Sequence, residues 1–119
     1  MSTLLIVDDE VRILTALRRS LRREGYEVLT AESPREALRM LETTPVDLVL
    51  SDHKMPAMTG SELLREIAAR WPHVVRLLIT GWAEAVTPAE VREIGIRELI
   101  PKPWDDAELK AALRRHLGG

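Results

Sequence analysis

Short apolar runs alternate with amphipathic helical patterns along the whole chain, and this alternation restricts the fold more than any other feature. The runs lie at 3–7 (TLLIV), 46–50 (VDLVL), 74–80 (VVRLLIT) and 96–100 (IRELI), with a weaker one at 26–30 (YEVLT). Near-continuous apolar character over so few residues suits strands covered on both faces, as in a parallel sheet. Between them, Ile13, Leu14, Leu17 and Leu21 form a helical stripe that Gly25 is expected to stop. Ser33, Pro34 and Glu36 read as cap, first helical residue and capping-box partner of a second helix, continued by Leu38 and Leu41. A third helix is expected from about 61 to 70, through Leu63, Leu64 and Ile67, ending before Pro72. Thr87, Pro88 and Glu90 repeat the capping pattern for a short fourth helix closed by Gly95. Asp105 with Glu108 opens a fifth. Strand and helix thus alternate five times, with no linker and no second core, which predicts one domain over 1–119. Strict alternation implies a doubly wound α/β sandwich with right-handed crossovers.

Composition agrees with a globular chain: 45% of the 119 residues are apolar and 30% charged, too apolar for a disordered segment. There is no cysteine, which removes disulfides and thiolate metal sites. No apolar run approaches the ~20 residues of a membrane helix. Met1 leads directly into a strand-like segment, so neither a membrane nor a signal peptide is expected, and a cytoplasmic location is. Seventeen basic residues are balanced by nineteen acidic ones, and no basic face large enough to predict nucleic-acid binding stands out. Arg18, Arg19, Arg22 and Arg23 form the densest basic cluster; their spacing puts them on the polar face of the first helix, read as a solvated face.

In doubly wound sheets a ligand sits outside the carboxyl ends of the strands, where strand order reverses. The polar residues at those ends are Asp8 and Asp9 after the first run, Asp52 after the third, Thr80 after the fourth and Lys102 after the fifth. If the order is 2-1-3-4-5, the three carboxylates converge with Thr80 and Lys102 facing them. Clustered carboxylates repel unless a cation joins them, and hard oxygen ligands favour Mg2+. A carboxylate is also a nucleophile towards phosphorus, giving an aspartyl phosphate. Phosphoryl transfer needs little beyond positioning and charge neutralisation. The plainer readings are that Asp8 and Asp9 cap the first helix and that Asp52 is a turn residue.

The segments "IVDDE", "DLVLSDHKMPAMTGSELL", "LLITGW" and "LIPKPW", in order and with matching spacing, resemble the receiver domain of bacterial two-component response regulators. The resemblance implies a flavodoxin-like (βα)5 fold with a parallel sheet in order 2-1-3-4-5. It implies Asp52 as phosphoacceptor, with a histidine kinase or histidine phosphotransfer protein as donor. It further implies Mg2+ held by Asp8, Asp9, Asp52 and the backbone carbonyl of Lys54, and phosphoryl contacts from Thr80 and Lys102. A cis Lys102–Pro103 bond is expected, and Pro56 and Gly60 match the loop after the phosphoacceptor. The output partner is left open; the fourth helix, fifth strand and fifth helix are the expected surface for an effector or homodimer. The domain is read as a switch rather than an enzyme.

Two positions depart from the pattern. Leu99 stands where many receivers carry an aromatic ring that swings inward, and Trp82 follows Thr80 closely enough to overhang the pocket and slow hydrolysis of the acyl phosphate. His53 is read as exposed loop, and Trp71 and Trp104 as packing residues. Two rivals are a Mg2+-dependent phosphohydrolase, disfavoured because Asp8 and Asp9 are adjacent and no room remains for a substrate cap, and a non-phosphorylated interaction module that keeps the fold.

Overall fold

The computed structural model describes residues 1–81 and 86–118. The elements are β1 (Thr3–Val7), α1 (Val11–Ser20), β2 (Glu27–Ala31), α2 (Pro34–Thr43), β3 (Leu48–Asp52), α3 (Gly60–Arg70), β4 (Val75–Thr80), α4 (Pro88–Ile94), β5 (Ile96–Pro101) and α5 (Asp106–Leu117). The five strands form one parallel sheet in the order β2-β1-β3-β4-β5, as expected. Trp82 lies outside the described residues.

Side chains alternate across each strand, so every strand feeds two cores. On one face Leu5, Val7, Val49 and Leu78 pack with Ala37, Leu41, Leu63, Leu64, Ile67 and Ile94 from α2, α3 and α4. On the other, Leu4, Ile6, Leu50 and Ile79 meet Leu14, Leu17, Leu109, Ala112 and Leu113 from α1 and α5. The inner strands β1, β3 and β4 are buried nearly throughout, as their apolar runs require. β5 departs from that expectation: Arg97 and Leu99 are exposed, because the last strand of the order has one free side.

The helix ends follow their local chemistry with two departures. α1 ends at Ser20, a turn earlier than expected, and Gly25 instead supplies the left-handed residue (φ 86°) that turns the chain into β2. Ser33 caps α2 by accepting from the Glu36 N–H, but Glu36 reaches one residue further back, to the Glu32 N–H at 2.8 Å. Thr87 and Glu90 close their capping box on α4, and Gly95 ends that helix at φ 75°. Thr59 and Glu62 form another box on α3 that sequence reading missed.

Two polar clasps fix the helices beside β5. Arg76 has no carboxylate partner among the described residues; its guanidinium donates to the carbonyls of Val74 (2.7 Å), Ile94 (3.1 Å) and Pro72 (3.3 Å). It thereby satisfies an orphan carbonyl at the end of α4 and ties it to the turn before β4. Glu98 on β5 holds the end of α5 through Arg115 (2.5 Å) and His116 (3.0 Å). Trp71 caps α3 and packs on the first core, with Arg70 stacked over its ring at 4.3 Å; Trp104 packs on the second.

Gly60, the first residue of α3, has the least room for a side chain of the described glycines. Its N–H donates to the His53 carbonyl at 2.7 Å, and a Cβ there would lie 2.1 Å from the Asp52 carbonyl oxygen. No rotamer relieves a clash between Cβ and backbone, so any side chain forces α3 away from the end of β3. Gly60→Ala is expected to lower unfolding stability in urea by on the order of 3 kcal/mol; an unchanged midpoint would contradict this packing.

Candidate functional site

The site is assembled at the carboxyl ends of four strands, β1, β3, β4 and β5. β1 and β3 are neighbours, with Val7 opposite Ser51, so Asp8 and Asp52 emerge side by side. β4 pairs with β3 on the other side, with Asp52 opposite Ile79, which brings Thr80 next to Asp52. β5 completes the row: the Lys102 N–H donates to the Thr80 carbonyl at 3.0 Å, joining the ends of β4 and β5. The Lys102–Pro103 bond is cis, as expected.

Carboxylate oxygens of Asp8, Asp9 and Asp52 lie within 4.8 Å of one another. Asp8 is 2% exposed and Asp52 4%, whereas Asp9 is exposed to solvent. Lys102 Nζ stands 3.4 Å from Asp52 Oδ1, longer than the ~2.7–2.9 Å of a tight charge-assisted hydrogen bond. The ammonium therefore offsets charge without closing over the carboxylate. Thr80 is buried at the end of β4. Lys54 is exposed in the loop after β3.

The plainer reading of Asp8 holds as well, since its Oδ1 accepts the Glu10 N–H at 2.8 Å, just before α1. Glu10 itself caps without a side-chain bond. Asp8 thus orients the start of α1 while presenting its carboxylate to the cluster. Asp52 is no turn residue: it is the last residue of β3, buried between neighbouring strands.

Burial pushes the Asp8 carboxyl up to about 6; the Glu10 N–H opposes this, Asp52 adds to it, Lys102 opposes it and Asp9 adds a little more. Asp52 is raised by burial too, against the pull of the Lys102 charge and hydrogen bond. Both shifts measure the same thing, an excess of negative charge held out of water.

His53 is not the exposed loop residue expected. It is half-buried, and its Nδ1 is buried with no hydrogen-bond partner among the described residues. Its backbone donates to the Ile79 carbonyl at 3.0 Å and accepts from Gly60, so it locks the loop after Asp52 between β4 and α3. Ala57 in that loop has φ 71°. Leu99, at the aromatic position of many receivers, is 38% exposed and lines a groove between β5 and α5 with Trp104.

The profile of the response regulator receiver domain matches residues 4–114. The chain is 45% identical over 104 residues to the hydrogenase transcriptional regulatory protein HoxA of Cupriavidus necator, covering 87% of this chain and 21% of that protein. It is 34% identical to the alkaline phosphatase synthesis transcriptional regulatory protein PhoP of Bacillus subtilis, covering 94% of this chain and 48% of that one. It thus spans only a fifth to a half of these relatives. Among solved structures, the signal receiver domain of an HD domain-containing protein from Pseudomonas fluorescens superposes with a TM-score of 0.90 at 35% identity, over 98% of this chain and 94% of the other. The response regulator TrrA of Thermotoga maritima, solved in complex with Mg(2+)-BeF, gives 0.87 at 31% identity, over 97% and 98%. With its strand order, its carboxylate cluster and these matches, the chain belongs to the response regulator receiver domain family.

Proposed function

We propose that this domain accepts a phosphoryl group on Asp52 from the phosphohistidine of a histidine kinase or histidine phosphotransfer protein, in a Mg2+-dependent reaction. The observation that carries the reading is the convergence of Asp8, Asp9 and Asp52 within 4.8 Å beside Lys102. The donor set fits the metal: the three carboxylates supply hard, anionic oxygen ligands of the kind Mg2+ takes. Asp8, Asp9, Asp52 and the Lys54 carbonyl would hold it. When bound, the ion supplies neutralising charge for the phosphoryl oxygens.

The remaining steps belong to the chain's own residues. An Asp52 carboxylate oxygen attacks phosphorus, the P–N bond to the donor imidazole breaks, and the imidazole keeps the electron pair and takes a proton from solvent. Lys102 offsets charge on a phosphoryl oxygen, and the Thr80 hydroxyl donates to another. The domain is a switch in this reading and turns over only its own phosphate.

The product adds roughly −1.5 to −2 charge to the pocket. Thr80 and Lys102 sit at the ends of β4 and β5 and are joined by a backbone hydrogen bond, so a shift of either is felt by α4, β5 and α5. That face is the proposed docking surface for an effector or a second copy, reached by population shift. Leu99 has no ring to swing inward, so the signal reaches this face through the strand ends. A cytoplasmic location follows from a kinase partner; among the described residues no helix is long and apolar enough to cross a membrane.

Incubation with Mg2+ and a small acyl phosphate or phosphoramidate should add one phosphate by intact mass, absent in Asp52→Asn and slowed at least tenfold in Lys102→Ala. No adduct would leave the interaction module as the reading, and multiple turnover of unrelated phosphate esters would favour a phosphohydrolase. The second expectation concerns charge. Folded Asp8 holds its proton up to about pH 6, above the ordinary 3.8, so the metal-free fold loses stability as pH rises between these values. Asp8→Asn keeps an acceptor for the Glu10 N–H and removes the charge; it should stabilise the metal-free protein at pH 7 by about 1–2 kcal/mol in urea unfolding. A loss of stability there would mean that the cluster is not repulsive.

A further inference from the structure

Arg18, Arg19 and Arg22 do not simply dissolve into a solvated face. With Thr15, Tyr26 and Val28 they line a groove of about 360 Å³ between α1 and β2. The lining contains no carboxylate. Among the described residues neither Arg19 nor Arg22 makes an ion pair, and Arg18 reaches only the Thr30 hydroxyl, at 3.0 Å. Glu24, in the turn after α1, is already bonded to Arg114 at 2.7 Å. Three guanidiniums thus share one concavity, and those of Arg19 and Arg22 have no anionic partner among the described residues.

The floor of the groove adds a direction. β2 is an outer strand of the sheet. The Glu27 N–H donates to the Ser2 carbonyl (2.9 Å), and the Ala31 carbonyl accepts from the Asp8 N–H (3.1 Å). In a parallel ladder alternate residues bond to the same neighbour, so Glu27, Leu29 and Ala31 serve β1. Val28 and Thr30 then turn their N–H and C=O groups outward, along the groove. Free strand-edge groups recruit an extended segment, and basic side chains beside them select its composition.

We infer that the β2 edge and the α1 arginines form a docking site for an extended acidic peptide segment of a partner protein, added as a sixth strand beside β2. Its backbone pairs with Val28 and Thr30, and its carboxylates meet Arg18, Arg19 and Arg22. This surface lies on the opposite edge of the sheet from β5, so a partner held here leaves the α4–β5–α5 face open.

The test uses a short fluorescein-labelled peptide of alternating Glu and Thr, with an alternating Lys and Thr peptide as control. Anisotropy titrations are run on the wild type and on Arg19→Glu/Arg22→Glu, and amide exchange is followed by NMR. Expected are salt-sensitive binding of the Glu peptide alone, about tenfold or more weaker in the variant, and slowed exchange at the Val28 and Thr30 amides. Both substituted residues are exposed and make no ion pair among the described residues, and unchanged exchange at the inner strands verifies the variant's fold. Absence of binding, or equal affinity in the variant, overturns the inference. So does binding without protection of Val28 and Thr30, or full competition by inorganic phosphate, which would make the groove a small-anion site.

Discussion

Burial of the Asp8 and Asp52 carboxyls side by side, with Asp9 beside them, is the constraint on which the site depends. Two of the three are nearly inaccessible to water, and a buried carboxylate is costly unless a partner or a proton attends it. The fold supplies one loose ammonium, one backbone N–H to Asp8 and a raised affinity for protons. In the proposed reading, this site would gain free energy from a cation and from a phosphoryl group held by that cation. The cost is spread over two packed cores that tolerate it at one end of the sheet.

Much of the architecture was legible because it is local. Runs of near-continuous apolar residues became the inner strands, and the Thr87 to Glu90 capping box and Gly95 closed α4 where they stood in sequence. The site residues were legible for a topological reason, since in a doubly wound sheet the residues following the strands must gather at one end. What escaped is packing that no local pattern encodes. Gly60 is demanded by the Asp52 carbonyl 2.1 Å from where a Cβ would stand, which only the packed chain shows. Arg76 carries no sequence sign that it will satisfy the Ile94 carbonyl across α4. The early end of α1 and the longer reach of Glu36 are differences of one turn or one residue, which patterns of caps do not resolve.

The same geometry suggests how a chemical event is transmitted. The loop after Asp52 is gripped by Ile79 and Gly60 through the His53 backbone, while Thr80 and Lys102 are joined across β4 and β5. α4 is fastened at its far end by Arg76, and α5 by Glu98. In the proposed switch, movement at the carboxyl ends of the strands would reach the near ends of α4 and α5 before their anchored ends. In that reading Leu99, exposed on β5, would let the face change without a buried ring to reposition.

The most direct measurement is a calorimetric titration of the metal-free domain with Mg2+ at pH 6, in two buffers of different ionisation enthalpy. The Asp8 carboxyl is pushed up to about 6 and that of Asp52 is raised too, so one ion should bind with measurable release of protons, and binding should be lost in Asp9→Asn. No binding, or binding unaffected by Asp9→Asn and without proton release, would contradict a carboxylate cluster held open for a cation.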